Sequence, residues 1–141
     1  MIAMPHHDLK YVDLTGKIIG CAMKVHSYLG PGFPENIYHR ALKIELEKEG
    51  LNFLSEFHRD VFYDGINIGN RRLDLLVEEK VLVELKATTE IEKLHHCQVI
   101  NYLKVFTIEV GLLLNFGKES LEFKRFVNSN LMNESVKSIK S

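Results

Sequence analysis

Little in this chain can hold it together except its own core. The two cysteines, Cys21 and Cys97, are isolated, which excludes a disulfide framework, a zinc ribbon and an iron–sulfur cluster and fits a reducing cytoplasm. No apolar run approaches the roughly 18 residues of a membrane span, and the opening Met-Ile-Ala-Met-Pro-His-His-Asp does not read as a signal peptide. Acidic and basic residues nearly cancel, 19 against 18. The global basic footprint of many nucleic-acid binders is therefore missing, and a polyanion would have to be held by a local patch or through a metal. There is no internal repeat and no linker. A length of 141 residues predicts one domain with a real core. Its expected extent is 14–127, with residues 1–13 as a flexible lead-in and the Ser-, Asn- and Lys-containing stretch 128–141 as a flexible tail.

What is present centres on one stretch, Arg72 to Lys86. Two apolar runs, Leu73 to Val77 and Val81 to Leu85, flank the charged turn Glu78-Glu79-Lys80, the pattern of a β-hairpin. Strand side chains alternate faces, so Leu73, Leu75 and Val77 share one face, with Asp74 and Leu76 opposite; Val81, Val83 and Leu85 likewise oppose Leu82, Glu84 and Lys86. A turn centred on Glu79 sets Leu76 against Leu82 and Asp74 against Glu84. A two-residue turn at Glu78-Glu79 would instead set Asp74 against Val83. Directly opposed Cβ atoms lie about 5 Å apart, where two carboxylates repel by roughly 3 kcal/mol at an effective dielectric near 20. A divalent cation converts that repulsion into binding, and Mg²⁺, with its preference for hard oxygen ligands and retained waters, suits two carboxylates. The competing explanation is a charged, solvent-facing side of a sheet.

The flanking sequence predicts the rest. Ile18, Ala22, Val25 and Leu29 recur at helical spacing from Leu14 to Leu29, with Asp13 or Thr15 as cap. Gly30-Pro-Gly-Phe-Pro34 breaks this helix, and a second runs to about Glu49, burying Ile37, Tyr38, Ala41, Leu42 and Leu46 before Gly50. Glu35 at its start suits the helix dipole. Leu51 to Tyr63 reads as extended, Asp64-Gly65 and Asn67 to Asn70 as turns. After the hairpin, a helix over 90–104 has Thr89 and Glu92 at capping-box spacing and Ile91, Leu94, Gln98 and Tyr102 along one face, with Cys97, Ile100 and Leu103 adding a neighbouring apolar stripe. Thr107 to Phe116 reads as a doubly buried strand, and Leu121 to Val127 as an edge strand. The economical architecture is α/β: a mixed β-sheet with a central hairpin flanked by α-helices, the helix at 90–104 crossing over to a parallel strand.

Asp74 followed by Glu84-Leu-Lys86 resembles the D…(D/E)-x-K signature of the PD-(D/E)XK nuclease superfamily. Gln98-Val-Ile-Asn-Tyr102 resembles the QxxxY motif of its RecB-like branch, and Gly32-Phe-Pro-Glu35-Asn-Ile-Tyr38 the motif that names the GxxExxY proteins. Leu29 to Gly32, Tyr38 to Leu42 and Asn115-Phe-Gly117 look like the same family. The proline that often precedes the superfamily's Asp is Leu73 here.

The resemblance implies a restriction endonuclease-like core and Mg²⁺-dependent (or Mn²⁺-dependent) hydrolysis of nucleic-acid phosphodiesters, DNA being the first expectation. It implies that Asp74, Glu84 and the Leu85 carbonyl hold the metal, with Glu35 beside them or as a further ligand. Lys86 orients water or stabilises the transition state; Gln98 and Tyr102 position water, a phosphate or Lys86. Arg72, Lys93, His95 and Lys104 are candidate phosphate contacts. No membrane role is expected, and a homodimer is compatible with the sequence. The alternative is a non-catalytic nucleic-acid-binding or protein-interaction module on the same fold. A Cys/His nucleophilic enzyme using Cys97 with His95 and His96 is disfavoured, because helical neighbours one or two apart do not face each other.

Overall fold

The computed structural model describes residues 10–128. Helices α1 (Val12–Leu29) and α2 (Glu35–Lys48) precede strands β1 (Phe53–Tyr63), β2 (Ile66–Val77) and β3 (Val81–Lys86). Helix α3 (Lys93–Val105) then leads to β4 (Val110–Asn115) and β5 (Glu122–Val127). The strands form one sheet in the order β1-β2-β3-β4-β5, antiparallel except for β3 and β4, which run parallel. The crossover through α3 is thus as expected, and β5 is the expected edge.

Two cores follow from strand alternation. On one face Leu75, Val83, Leu85 and Leu112 pack with Ile18 of α1 and Leu42 of α2. On the other, Leu76, Leu82 and Leu113 meet Val99 and Leu103 of α3. Gly111 decides how α3 sits: a Cβ there would stand 3.0 Å from Val99 and 3.2 Å from Leu103, so the missing side chain lets this helix stripe lie against β4. The buried stripe therefore runs through Val99, Tyr102 and Leu103, whereas Leu94, Cys97 and Ile100, expected on apolar stripes, are exposed.

Caps differ from expectation in instructive ways. α1 starts at Val12, with Tyr11 in left-handed backbone as cap; Thr15 bonds back to the Val12 carbonyl instead of capping, and Asp13 lies in the first turn. α3 is capped by Glu92, not Thr89: its carboxylate accepts from the His95 backbone, and His95 Nδ1 accepts from the Glu92 amide. The expected lead-in and tail fall mostly outside the described residues; Asn128, at the tail's start, is buried and donates to the Leu103 and Ile108 carbonyls.

Asn67 to Asn70 belongs to β2, not to a turn. Asp64 and Gly65 both take positive φ, the geometry of a two-residue hairpin turn, so the following residues pair at once. A bulge between Val61 and Phe62 absorbs the one residue out of step, with Gly69 at φ 147° across from Val61. β2 pairs with β3 only from Leu75 to Val77, so the β1–β2 hairpin from Phe57 to Leu73 projects from the sheet as a two-stranded ribbon.

Candidate metal centre and its groove

The turn register is the one centred on Glu79: Leu76 opposes Leu82 and Leu75 opposes Val83, with Glu78 and Glu79 both left-handed. Beyond Leu75 the ladder stops. Leu73, expected on the face of Leu75, lies instead in the α3-side core with Leu76. The alternation slips at Asp74, opposite which Glu56 of β1 takes φ 51°. At this kink the Asp74 side chain replaces the backbone ladder: its Oδ2 accepts from the Leu85 amide at 2.9 Å. The Lys86 carbonyl turns to β4, accepting from Phe116 N, so in an extended strand the Leu85 carbonyl turns the other way, toward β2 and Asp74.

Glu84 is buried, 6% exposed, and its Oε1 has no hydrogen-bond partner. Burial first, then a hydrogen bond to Asp74 and the Asp74 charge, push its pKa up to about 10, with Lys86 opposing. Glu84 thus holds a proton at neutral pH unless a cation takes its place. A buried, unpartnered carboxylate oxygen beside a second carboxylate and a backbone carbonyl is a donor set that fits a small hard cation. It is an open set rather than a cage: among the described residues no three His, Cys, Asp or Glu side chains are grouped to hold a metal. The remaining positions fall to water or substrate oxygens.

Glu35 arrives from the other helical layer. The residue is exposed, yet partial enclosure of its carboxyl raises the pKa; the Asp74 charge raises it further, while Lys86 and Arg72 lower it. It therefore shares the electrostatic field of Asp74 and Lys86. Tyr38 fixes its approach. The hydroxyl, far from being wet, donates to the Gly30 carbonyl at 2.6 Å and accepts from Phe33 N at 3.1 Å, and the ring stacks on Phe116 at 4.7 Å. The loop that starts α2 is thereby pinned to the sheet.

Gln98 and Tyr102 meet as expected: Gln98 Nε2 donates to the Tyr102 hydroxyl at 3.1 Å. Burial raises the Tyr102 pKa, which keeps the phenol protonated. Both line a groove of about 550 Å³ with Lys86. Of the expected phosphate contacts, His95 lines this groove, whereas Arg72 pairs with Glu56 at 3.0 Å and Lys93 and Lys104 are exposed elsewhere on α3.

Several residues escaped the sequence reading. His39 is buried beside Asp74's field, its Nε2 3.2 Å from Ser55 Oγ and its Nδ1 3.3 Å from Glu56; burial lowers its pKa. Its signal was weak, since a histidine next to Tyr38 reads as a polar flank. Asn115 was visible as a strand end, not as a clamp. Its Oδ1 accepts from Thr88 N (3.0 Å) and Gly117 N (3.0 Å), and its Nδ2 donates to Thr88 O at 2.9 Å. Gly117 is obligatory there, since a Cβ would come within 2.3 Å of the Thr88 carbonyl oxygen. The backbone just beyond Lys86 is thus locked to the end of β4.

Comparison with known proteins bears on the superfamily and the fold. The sequence model of the PD-(D/E)XK nuclease superfamily matches residues 12–126. No curated protein matches the chain. Among solved structures, the crystal structure of SSO0001 superposes with a TM-score of 0.53 at 17% identity, covering 94% of this chain and 69% of that one, a likeness of fold. The mixed sheet with helices on both faces is accordingly a restriction endonuclease-like α/β fold. The chain belongs to the PD-(D/E)XK nuclease superfamily.

Proposed function

We propose that the chain is a divalent-metal-dependent nuclease, with DNA as its first substrate, and that within the superfamily it belongs with the GxxExxY proteins through Gly32, Glu35 and Tyr38. The observation that carries the reading is the Asp74–Glu84 pair, in which one carboxylate is buried with an unpartnered oxygen. Such a pair costs stability and has an evident use only when a cation occupies it.

Asp74, Glu84 and the Leu85 carbonyl would hold Mg²⁺ or Mn²⁺. Bound there, the ion supplies Lewis acidity, making water a better nucleophile and neutralising charge on the phosphate. Lys86, on the same strand two residues from Glu84, presents an ammonium to the phosphoryl oxygens where negative charge develops. Tyr102, accepting from Gln98, keeps its own O–H for the attacking water or a phosphate oxygen. Glu35 acts from the rim, coupled by charge to Asp74 and Lys86. Asn115 and Tyr38 act through other residues, holding the segments that carry Lys86 and Glu35.

The test is cleavage of labelled single-stranded DNA, duplex DNA and RNA in Mg²⁺, Mn²⁺ or EDTA, with the native protein beside Asp74→Asn and Lys86→Ala. Metal-dependent cleavage that falls at least about 100-fold in both variants is expected, the scale of removing one electrostatic group from a transition state. Cleavage that persists in EDTA, or that both variants retain, would overturn the assignment. Protein inert in every condition would favour the alternative, a binding module that keeps the fold.

A further inference from the structure

The groove beside the candidate centre has walls of two chemistries. One is α3, contributing His95, Gln98, Tyr102 and the exposed apolar Leu94 and Val105. The other is the β1–β2 ribbon, contributing Val61 and Arg71. The ribbon's register places Arg59 directly opposite Arg71. Arg59 is two residues from Val61 and lies over the ring of Phe57, which packs into the α3-side core, so both guanidinium groups belong to the groove face. Neither forms an ion pair among the described residues, whereas Arg72, on the opposite face, is paired with Glu56. Like charges directly opposed across strands destabilise a ribbon. Two unpaired arginines on a strip that leads to Lys86 make sense once anions lie between them.

We propose that this groove is the track of a single, unpaired nucleic-acid strand, its phosphates held by Arg59 and Arg71 and its bases laid on the apolar wall of Leu94, Val105 and Phe106. The proposal rests on the nuclease reading for its location and deepens it by naming the substrate class. The apolar wall selects against a duplex. Paired bases hide their faces in their own stack and present phosphates outward, leaving Leu94 and Val105 facing charge. An unpaired strand has π faces to lay on them and a backbone the arginines can follow. The bidentate guanidinium suits phosphate oxygens, which makes arginine, rather than lysine, the fitting residue at both positions.

The test is fluorescence anisotropy in EDTA, where cleavage is absent, with labelled oligo-dT and a duplex of the same length. Native protein is expected to bind the single strand at least about tenfold more tightly. Arg59→Gln/Arg71→Gln should weaken that binding roughly tenfold and reduce the slope of log K against log salt by about 1.4, the value for two phosphate contacts on a single strand. The same variant should melt no lower than the native protein, since it loses two opposed charges. Arg59→Lys/Arg71→Lys should keep the salt slope. Leu94→Ser, an exposed position that leaves the core intact, should cost roughly threefold or more on the single strand and nothing on the duplex. Equal or tighter duplex binding, or an unchanged salt slope in the glutamine variant, would overturn the proposal. A protein that cleaves DNA yet shows either result retains the nuclease assignment and loses the groove. A protein that binds single strands through both arginines but never cleaves retains the groove and loses the nuclease assignment.

Discussion

Glu84 illustrates how a single residue reports its purpose through its cost. Its folded-state pKa lies near 10, far above the ordinary 4.5. The folded state therefore binds the proton that the unfolded state releases, and the metal-free protein loses stability as pH rises from about 4.5 toward 10. Glu84→Gln keeps the shape and removes the titration. In EDTA at pH 8 this variant should be more stable than the native protein by about 2–4 kcal/mol, less than the ideal 1.36 kcal/mol per pKa unit because water entry relieves part of the strain. Near pH 4 the two should agree. Urea unfolding at both pH values measures this, and a difference independent of pH would mean that Glu84 is not held protonated. Asp74 carries the complementary lesson. The Asp and the E-x-K were legible as a motif, and their proximity followed from a register centred on Glu79. That Asp74 takes the Leu85 amide and ends the ladder was not, because it depends on left-handed Glu56 across the sheet.

At the scale of elements, the site is held by clamps that join one segment's end to another. Tyr38 ties the Gly30–Pro34 loop to α2 through two hydrogen bonds. Tyr38→Phe removes both while leaving the stacked ring, and should destabilise the protein by about 1–2 kcal/mol, since a partly buried carbonyl and amide lose their partner. Its effect on cleavage should exceed that of a surface substitution, because Glu35 follows the loop directly. Gly117→Ala sets a methyl group into the Thr88 backbone and should cost about 3 kcal/mol or more, or force the segment after Lys86 out of place. Thermal melting of both variants checks the ranking: Gly117→Ala should fall further than Tyr38→Phe. The elements themselves were legible where periodicity was strong, as in α2, β3 and β4. The face of α3 was not, because Leu94, Cys97 and Ile100 form as good an apolar stripe on paper as Val99 and Leu103, and the choice depends on which stripe meets the missing side chain of Gly111 in the strand that follows. Asn67 to Asn70 looked like a turn for a similar reason: their turn-forming composition was overridden by the tight Asp64-Gly65 hairpin.

The whole molecule divides into a two-sided core and a ribbon exposed on nearly all its surface. β3 and β4 are buried throughout but for the half-buried Lys86, whereas Phe62, Tyr63, Ile66 and Ile68 near the ribbon tip are 60–73% exposed. Amide exchange should follow that division. Amides of Val81 to Leu85 and Val110 to Leu114 should open only with global unfolding, and those from Asp60 to Asn70 through local opening of far lower free energy. Ribbon protection equal to that of β4 would show that the tip is covered in solution, as in a dimer. The three-layered architecture, a sheet between helices, could be anticipated from the order of elements. The groove could not, since it arises from the angle between the ribbon and α3, and sequence proximity favoured Arg72 over Arg59 and Arg71.

The central claim is that Asp74 and Glu84 together hold a divalent cation, and calorimetric titration of the native protein with Mn²⁺, repeated in buffers of different ionisation enthalpy, tests it most directly. Binding at neutral pH should release about one proton, displaced from Glu84, so that affinity rises with pH roughly tenfold per unit below about 10. Asp74→Asn and Glu84→Gln should each abolish binding, and the proton should go with it. Binding without proton release, or undiminished in either variant, would contradict the account.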